Sequence, residues 1–375
     1  MNVAIVGLGF VGRAHLEAAR RLGASVCALA GKSRRESGEM RWYGSYEELL
    51  ADDSLDVVHI CTPNNLHLAQ SLAALRAEHH VICEKPLAMN PTEARELIAA
   101  ACESNRVGAV CHNLRYYPMC QEAHALVKRG DIGEPRIVYG TYLQDWLFSP
   151  FDWNWRLEPG TGGAMRAVAD IGTHWLDLMM WISGQKITSV CADMATLVPV
   201  RHRPRSKLET FQRSGEGGFD EVRMNTEDYA SVLLRFDRGL RGVVTISQVS
   251  AGRKNRLWWE IDGSEASLAW DGENPNLLWI GHRNQANRLQ IKDPSLMSPE
   301  ARGYAAYPGG HAEGYPDTFI QLFKDVYAYV AAGDFSAPRS FPTFETGAQE
   351  LLLCEAISRS ASEERWITVE QIARS

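Results

Sequence analysis

The residue types able to do chemistry fall in three short segments. The first is Val3-Ala4-Ile5-Val6-Gly7-Leu8-Gly9-Phe10-Val11-Gly12, an apolar strand running into G-x-G-x-x-G and then into a helical pattern with Ala14, Leu16, Ala18 and Ala19. In that context Gly7 permits a tight turn, Gly9 lets the backbone approach a pyrophosphate, and Gly12 lets helix and strand close up, so phosphates can sit on the helix N-terminus. Gly7, Leu8, Gly9, Phe10, Val11 and Gly12 are therefore expected to hold a dinucleotide. The second segment is Glu84-Lys85-Pro86, at the end of another apolar strand. An ammonium there, partly buried beside a nicotinamide, would either shed its proton more easily or stabilise a developing alkoxide. The third is Asp170-Ile171-Gly172-Thr173-His174, opening a helical pattern expected over 171–182. Spacing of four brings the carboxylate and the imidazole to one side, and an imidazole titrating near neutrality suits removal of a hydroxyl proton. Taken singly, a surface Lys in a turn, or an N-cap Asp followed by a core His, explains these residues as well.

The second strand, Val26–Ala30, should end in Asp or Glu if a carboxylate is to hold the ribose 2′-hydroxyl of NAD. It runs instead into Gly31-Lys32-Ser33-Arg34-Arg35. A short hydroxyl among cations suits a 2′-phosphate, so Gly31, Lys32, Ser33 and Arg34 join the expected cofactor contacts and NADP is favoured over NAD. NAD held through other groups stays open.

These segments need a scaffold, and the chain supplies one. Up to about residue 120, short apolar strands (3–6, 26–30, 57–61, 81–83 and 107–111) alternate with amphipathic stretches such as 66–77 and 92–104. That is the pattern of βαβ units around a parallel sheet, an α/β doubly wound domain expected over 1–122. Ligands of such sheets bind outside the carboxyl ends of the strands, where the loops with Gly9, Pro63 and Lys85 all lie. Beyond 129 the texture changes to strands at 137–142, 229–236, 243–249, 257–261 and 266–270, with hairpin signals at Asp237-Arg238-Gly239 and Asp262-Gly263-Ser264. An α+β domain on a largely antiparallel sheet is expected over 123–375. The polar stretch 201–225 is read as a mobile excursion.

With Cys61-Thr62-Pro63-Asn64-Asn65-Leu66-His67 added, the fingerprint, the E-K-P and the D-x-G-x-H resemble the glucose–fructose oxidoreductase / inositol dehydrogenase (Gfo/Idh/MocA) family across essentially the whole chain. The resemblance implies that Lys85 meets the substrate hydroxyl, that His174 takes its proton, and that Asp170 anchors a neighbouring hydroxyl. It also implies a crevice in which Thr62, Pro63, Asn64, His67, Glu84, Lys85, Asn113, Trp155 and Arg156 line the cofactor. Arg115, Gln144, Asp145, Trp146, Asp170, His174, His311 and Tyr315 would line the substrate. The mixture of aromatic and polar residues at 142–146 and 153–156 suits sugar rings, although packing explains Trp153 equally well. The lead-in Gly160–Val168 is longer than the family's usual spelling, which puts the pocket's shape there in question.

The implied activity is hydride transfer between a nicotinamide and a carbinol carbon of a sugar, sugar derivative or cyclitol. A redox-neutral glycosidase or epimerase that recycles its cofactor is the alternative, and a sugar sensor without chemistry is disfavoured by retention of Lys85, Asp170 and His174. Composition agrees with an enzyme of this size. The 375 residues suffice for two cores, the net charge of −7 comes without a basic stripe that nucleic acid would need, and no apolar run approaches membrane length. Eight cysteines without a C-x-x-C pair read as reduced core residues of a cytoplasmic protein, and no metal site is expected. A homodimer or homotetramer is the expected assembly.

Overall fold

The computed structural model describes residues 1–29, 40–205 and 218–373. They form two compact units, Met1–Asn113 with Gly160–Gly163 and Pro316–Leu351, and Leu114–Pro159 with Ala164–Tyr315 and Leu352 onward.

In the first unit the chain runs β1 (Asn2–Val6), α1 (Phe10–Arg21), β2 (Ser25–Leu29), β3 (Arg41–Tyr43), α2 (Tyr46–Leu50), β4 (Val57–Ile60), α3 (His67–Arg76), β5 (His80–Cys83), α4 (Pro91–Glu103) and β6 (Gly108–Val110). The strands pair in parallel in the order β3-β2-β1-β4-β5-β6, the doubly wound dinucleotide-binding order. Val3–Val6 and Val57–Ile60 are wholly buried, which is why these strands read as continuous apolar runs rather than alternating ones. The turn from β1 to α1 depends on two glycines. Gly7 adopts φ +94°, and a Cβ on Gly12 would stand 1.8 Å from the Gly7 carbonyl oxygen.

In the second unit α5 (Pro118–Arg129) and β7 (Pro135–Leu143) lead to a single helical turn, α6 (Pro159–Gly162), whose glycines belong to the first unit. Then come a π-helical turn at Val168–Gly172, α7 (Thr173–Ser183), β8 (Ile187–Ala195), β9 (Val200–Pro204), β10 (Phe219–Arg223), β11 (Tyr229–Phe236), β12 (Arg241–Ser247), β13 (Arg256–Gly263), β14 (Ala266–Asp271), β15 (Leu277–His282) and β16 (Arg288–Ile291). Helices α8 (Tyr315–Ala332) and α9 (Phe344–Glu363), strand β17 (Ile367–Thr368) and helix α10 (Val369–Ala373) follow. The large sheet is ordered β16-β15-β14-β13-β7-β12-β11-β8-β17 and is antiparallel throughout except for the β7–β12 pair. One face is covered by α5 and α7. Trp175 of α7 is fully buried and donates from its indole to the Trp258 carbonyl at 3.1 Å.

Three expectations need correction. A single cut at 122 misplaces Pro316–Leu351, because Phe319 and Phe323 of α8 pack their rings on His15 of α1 in the first unit. The 201–225 stretch is not simply an excursion: its two ends pair as β9 and β10, while 206–217 lie outside the described residues. The helix expected over 171–182 begins at Thr173, after a π-helical turn that no apolar periodicity announces. Strands β3, β8, β15, β16 and β17 also lie outside the expected set; β3 and β17 are only 3 and 2 residues long, and β8 and β16 carry mixed polar residues. Among the described residues no helix is long and apolar enough to cross a membrane.

Replacing Gly12 with Ala should cost about 1–3 kcal/mol, the usual penalty for forcing a group into a packed interior, since backbone must move to admit it. Urea unfolding of the variant beside wild type measures this, and an unchanged midpoint would refute the close approach.

Candidate active site

The dinucleotide turn offers main chain and little else. Gly9 is the N-cap of α1, no side chain caps that end, no acidic residue sits in the first turn, and the space where a Gly9 Cβ would lie is open. A helix start of this kind, free of carboxylates, presents the donors and the field a pyrophosphate needs, so these residues fit a nicotinamide dinucleotide. Phe10 is half-exposed beside it. The residues that would discriminate NAD from NADP, Gly31, Lys32, Ser33 and Arg34, lie outside the described residues.

Next to that turn, the loops after β4 and β5 are fastened to each other by His67. Its Nδ1 lies 2.9 Å from the Pro86 carbonyl and its Nε2 2.8 Å from the Thr62 carbonyl. The ring is wholly buried, so His67 is a strut holding Thr62-Pro63 against Lys85-Pro86, and not the cofactor contact expected of it. Burial pulls the His67 imidazole down, against the two carbonyls that favour its protonated form. Thr62 and Pro63 stay partly exposed, with the Thr62 hydroxyl donating to Gln70 at 2.6 Å. Asn64 is buried and donates to the Gly162 carbonyl at 2.8 Å.

Lys85 is partly exposed at the carboxyl end of β5. Glu84 is not: its side chain turns inward, with Oε1 3.0 Å from His15 Nε2 and Oε2 accepting from the Lys85 main-chain N–H at 3.1 Å. Burial by itself would raise the Glu84 carboxyl, but the His15 hydrogen bond, with the nearby charge of Lys85, outweighs it and leaves it lowered. The expected cofactor role of the Glu84 side chain is thus replaced by an interior one. Asn113 is likewise buried, donating to the Thr318 hydroxyl at 2.7 Å.

In the second unit Asp170 sits in the π-helical turn and His174 in the first turn of α7. Asp170 is oriented by two neighbours: Arg156 Nε donates to Oδ1 and Gln248 Nε2 to Oδ2, both at 2.9 Å. Arg156, expected to contact the cofactor, thus orients Asp170 and also lies over the Trp155 ring, 4.5 Å from its centroid. Gln248, just past β12, was missed; a lone Gln after a strand carries no signal in sequence. Behind it Arg166 Nη1 reaches Gln248 Oε1 at 3.4 Å and pairs with Asp228, which Arg201 also contacts at 2.8 Å, all three side chains fully buried. Glu227 accepts from the Arg166 and Val168 main-chain N–H groups at 2.9 Å and pins the start of the π turn. The long lead-in therefore ends in an interior ionic anchor.

Other expected substrate contacts divide. Arg115, expected to line the substrate, forms a two-pronged ion pair with Asp177 that ties the segment before α5 to α7. Gln144 is buried and donates to Asn255 at 2.7 Å. Asp145 pairs with Lys254 at 2.6 Å, and the Trp146 indole donates to the Lys254 carbonyl at 2.7 Å. Trp153 packs with Leu147, Leu157 and Met224, as the packing alternative held. His311 is exposed, and Tyr315 is partly buried at the start of α8.

Residues 1–112 match the oxidoreductase family with an NAD-binding Rossmann fold, and residues 120–269 match the GFO/IDH/MocA C-terminal domain. The levoglucosan dehydrogenase of Pseudarthrobacter phenanthrenivorans is 29% identical over 100% of this chain and 99% of its own length. The 1,5-anhydro-D-fructose reductase of Ensifer adhaerens is 34% identical over 62% of each chain. A solved structure of levoglucosan dehydrogenase in complex with NADH and L-sorbose superimposes with a TM-score of 0.88 at 30% identity, covering 100% of both chains.

Changing Gln248 to Leu removes one of the hydrogen bonds that orient Asp170, a loss of about 1–3 kcal/mol. If Asp170 orients substrate, kcat/KM should fall about tenfold or more while nucleotide affinity holds, as steady-state kinetics and nucleotide titration would reveal.

Proposed function

The chain belongs to the GFO/IDH/MocA oxidoreductase family, and from that premise we propose that it transfers a hydride between a nicotinamide and a carbinol carbon of a sugar, sugar derivative or cyclitol. The observation that carries this reading is the β1–α1 turn, a main-chain cradle with open space at Gly9 and no carboxylate, at the carboxyl end of a central strand in a parallel sheet of dinucleotide-binding order. The bound nicotinamide supplies the hydride acceptor or donor.

The chain's own residues supply the rest. Lys85 meets the reacting oxygen and stabilises its negative charge, His174 takes or returns the hydroxyl proton, and Asp170, oriented by Arg156 and Gln248, holds a neighbouring hydroxyl. A sugar or cyclitol is the substrate class best supported, since relatives along the full chain are named levoglucosan dehydrogenase, solved in complex with NADH and L-sorbose, and myo-inositol 2-dehydrogenase. NADP is preferred, on the ground that Gly31-Lys32-Ser33-Arg34 has cations and a hydroxyl where a carboxylate would select NAD. Self-association is supported by Ile137, Leu233 and Val243, exposed apolar side chains on the neighbouring strands β7, β11 and β12, with Leu233 and Val243 directly paired.

The test is a panel of sugars and cyclitols assayed separately with NAD and NADP, followed at the nicotinamide absorbance. Substrate-dependent change, larger kcat/KM with NADP, and a Lys85→Ala variant slowed on the order of 10²–10⁴-fold with nucleotide binding nearly intact are expected. Turnover untouched in Lys85→Ala removes that residue from the chemistry, and a strong preference for NAD overturns the cofactor assignment.

A further inference from the structure

Beneath the E-K-P turn lies a row of buried polar groups that the proposed chemistry leaves unexplained. Glu84 Oε1 is 3.0 Å from His15 Nε2, His15 Nδ1 is 3.0 Å from His59 Nδ1, and His59 Nε2 is 2.8 Å from the Tyr327 hydroxyl. The residues come from α1, β4, β5 and α8 of one unit. Both imidazoles are wholly buried, and the Phe323 ring lies 4.7 Å from each. Polar groups in such a wall are costly unless every donor meets an acceptor, so the directions of these bonds can be worked out.

An ionised carboxylate only accepts, so His15 Nε2 must donate to Glu84. A neutral His15 then has an accepting Nδ1, which obliges His59 to donate from its own Nδ1. His59 Nε2 is left as acceptor, and the Tyr327 O–H donates to it. Every link is satisfied in one sense with no proton to spare. Adding one proton to the row reverses the middle and outer links: His15 would donate from both nitrogens, and His59 would donate to the Tyr327 oxygen.

We propose that His15, His59 and Tyr327 are positioning residues for Lys85, forming a one-way hydrogen-bond chain that keeps Glu84 a carboxylate and so keeps it clamped on the Lys85 main-chain N–H. This rests on the reading of Lys85 as the group that meets the reacting oxygen. The surrounding titratable groups agree with the direction assigned. Burial pushes His59 well below its ordinary range, so it is neutral and has one proton to give. Burial raises the Tyr327 hydroxyl, which therefore keeps its proton. The thiols of Cys61 and Cys111, facing Glu84 from the ends of β4 and β6, are pushed well up by burial and then by Glu84 itself, so neither competes as an anion. Cys83, His67 and Lys85 are further titratable groups coupled to the carboxylate. Because the folded Glu84 carboxyl is lowered, the clamp is present above the ordinary carboxylate range and is lost only as pH falls through that depressed value. His15 Nε2, Glu84 and Cys111 also place three metal-capable atoms within 4.8 Å, but the 3.0 Å His15–Glu84 separation is that of a hydrogen bond.

Two measurements test this. Nitrogen-15 spectra of the imidazoles in the full-length protein should show His59 protonated at Nδ1 and not Nε2, and His15 protonated at Nε2 and not Nδ1. The opposite pattern, or stoichiometric zinc retained by the purified protein, overturns the chain. The second is kcat/KM against pH with whichever polyol of the panel turns over. In His15→Leu the carboxyl loses its principal donor and burial is opposed only by Lys85 and Cys111, so the acid limb should move up by about one pH unit or more. Tyr327→Phe, a milder change, should move it in the same direction by less, and His15→Gln, whose amide can still donate, should restore it in part. Profiles parallel to wild type, lowered uniformly or not at all, refute the positioning role. If no polyol turns over, the hydride-transfer reading fails, while the spectra still decide the hydrogen-bond chain.

Discussion

The carbonyl of Gly7 occupies the place where any side chain at position 12 would begin. That contact lets α1 lie closer to β1 than two ordinary elements can, and much of the first unit follows from it. It leaves the start of α1 as bare main chain beside open space at Gly9. It also brings His15, on the inward side of α1, against His59 of β4 and Glu84 at the end of β5. The phosphate cradle and the support of Lys85 are thus consequences of one close approach. Widening it would weaken both.

A second regularity is the treatment of buried carboxylates. Glu84 has His15 and a main-chain N–H, Asp170 has Arg156 and Gln248, Glu227 has two main-chain N–H groups, and Asp228 has two guanidinium groups. Desolvation acts to raise the Glu84, Glu227 and Asp228 carboxyls. Fixed donors reverse that for Glu84 and Asp228, whose carboxyls stay lowered, whereas for Glu227 burial outweighs two main-chain donors and the carboxyl is raised. The contrast shows that burial prevails at Glu227 despite main-chain donors and the charge of Arg166. It also shows that an anion is maintained beside Lys85 and beneath the π turn by neighbours that are themselves inaccessible to substrate.

The fingerprint, the doubly wound class and the largely antiparallel second sheet were legible because each rests on local pattern: glycine spacing, continuous apolar runs, period-two alternation. The individual site residues were less so. His67, Arg115, Arg156 and Glu84 are polar residues in motifs that point to ligands, yet each is engaged by interior partners, Thr62 and Pro86, Asp177, Asp170, and His15 respectively. A polar side chain advertises the same chemistry whether it faces a ligand or another residue. Its partner is settled by elements distant in the chain.

By itself the order of residues determined that a dinucleotide turn opens the chain, that Lys85 ends a buried strand, and that Asp170 and His174 stand four apart at the head of a helix. These are properties of segments shorter than about twenty residues, within reach of periodicity and of one helix or strand. Tertiary structure alone decided that α8, some three hundred positions later, returns Tyr327 to His59, that Gln248 and Arg156 meet on Asp170, and that Arg166 and Arg201 share Asp228. Those pairings depend on sheet order and on which face each helix buries. Such quantities are set by the packing of the whole unit, and no local spacing encodes them.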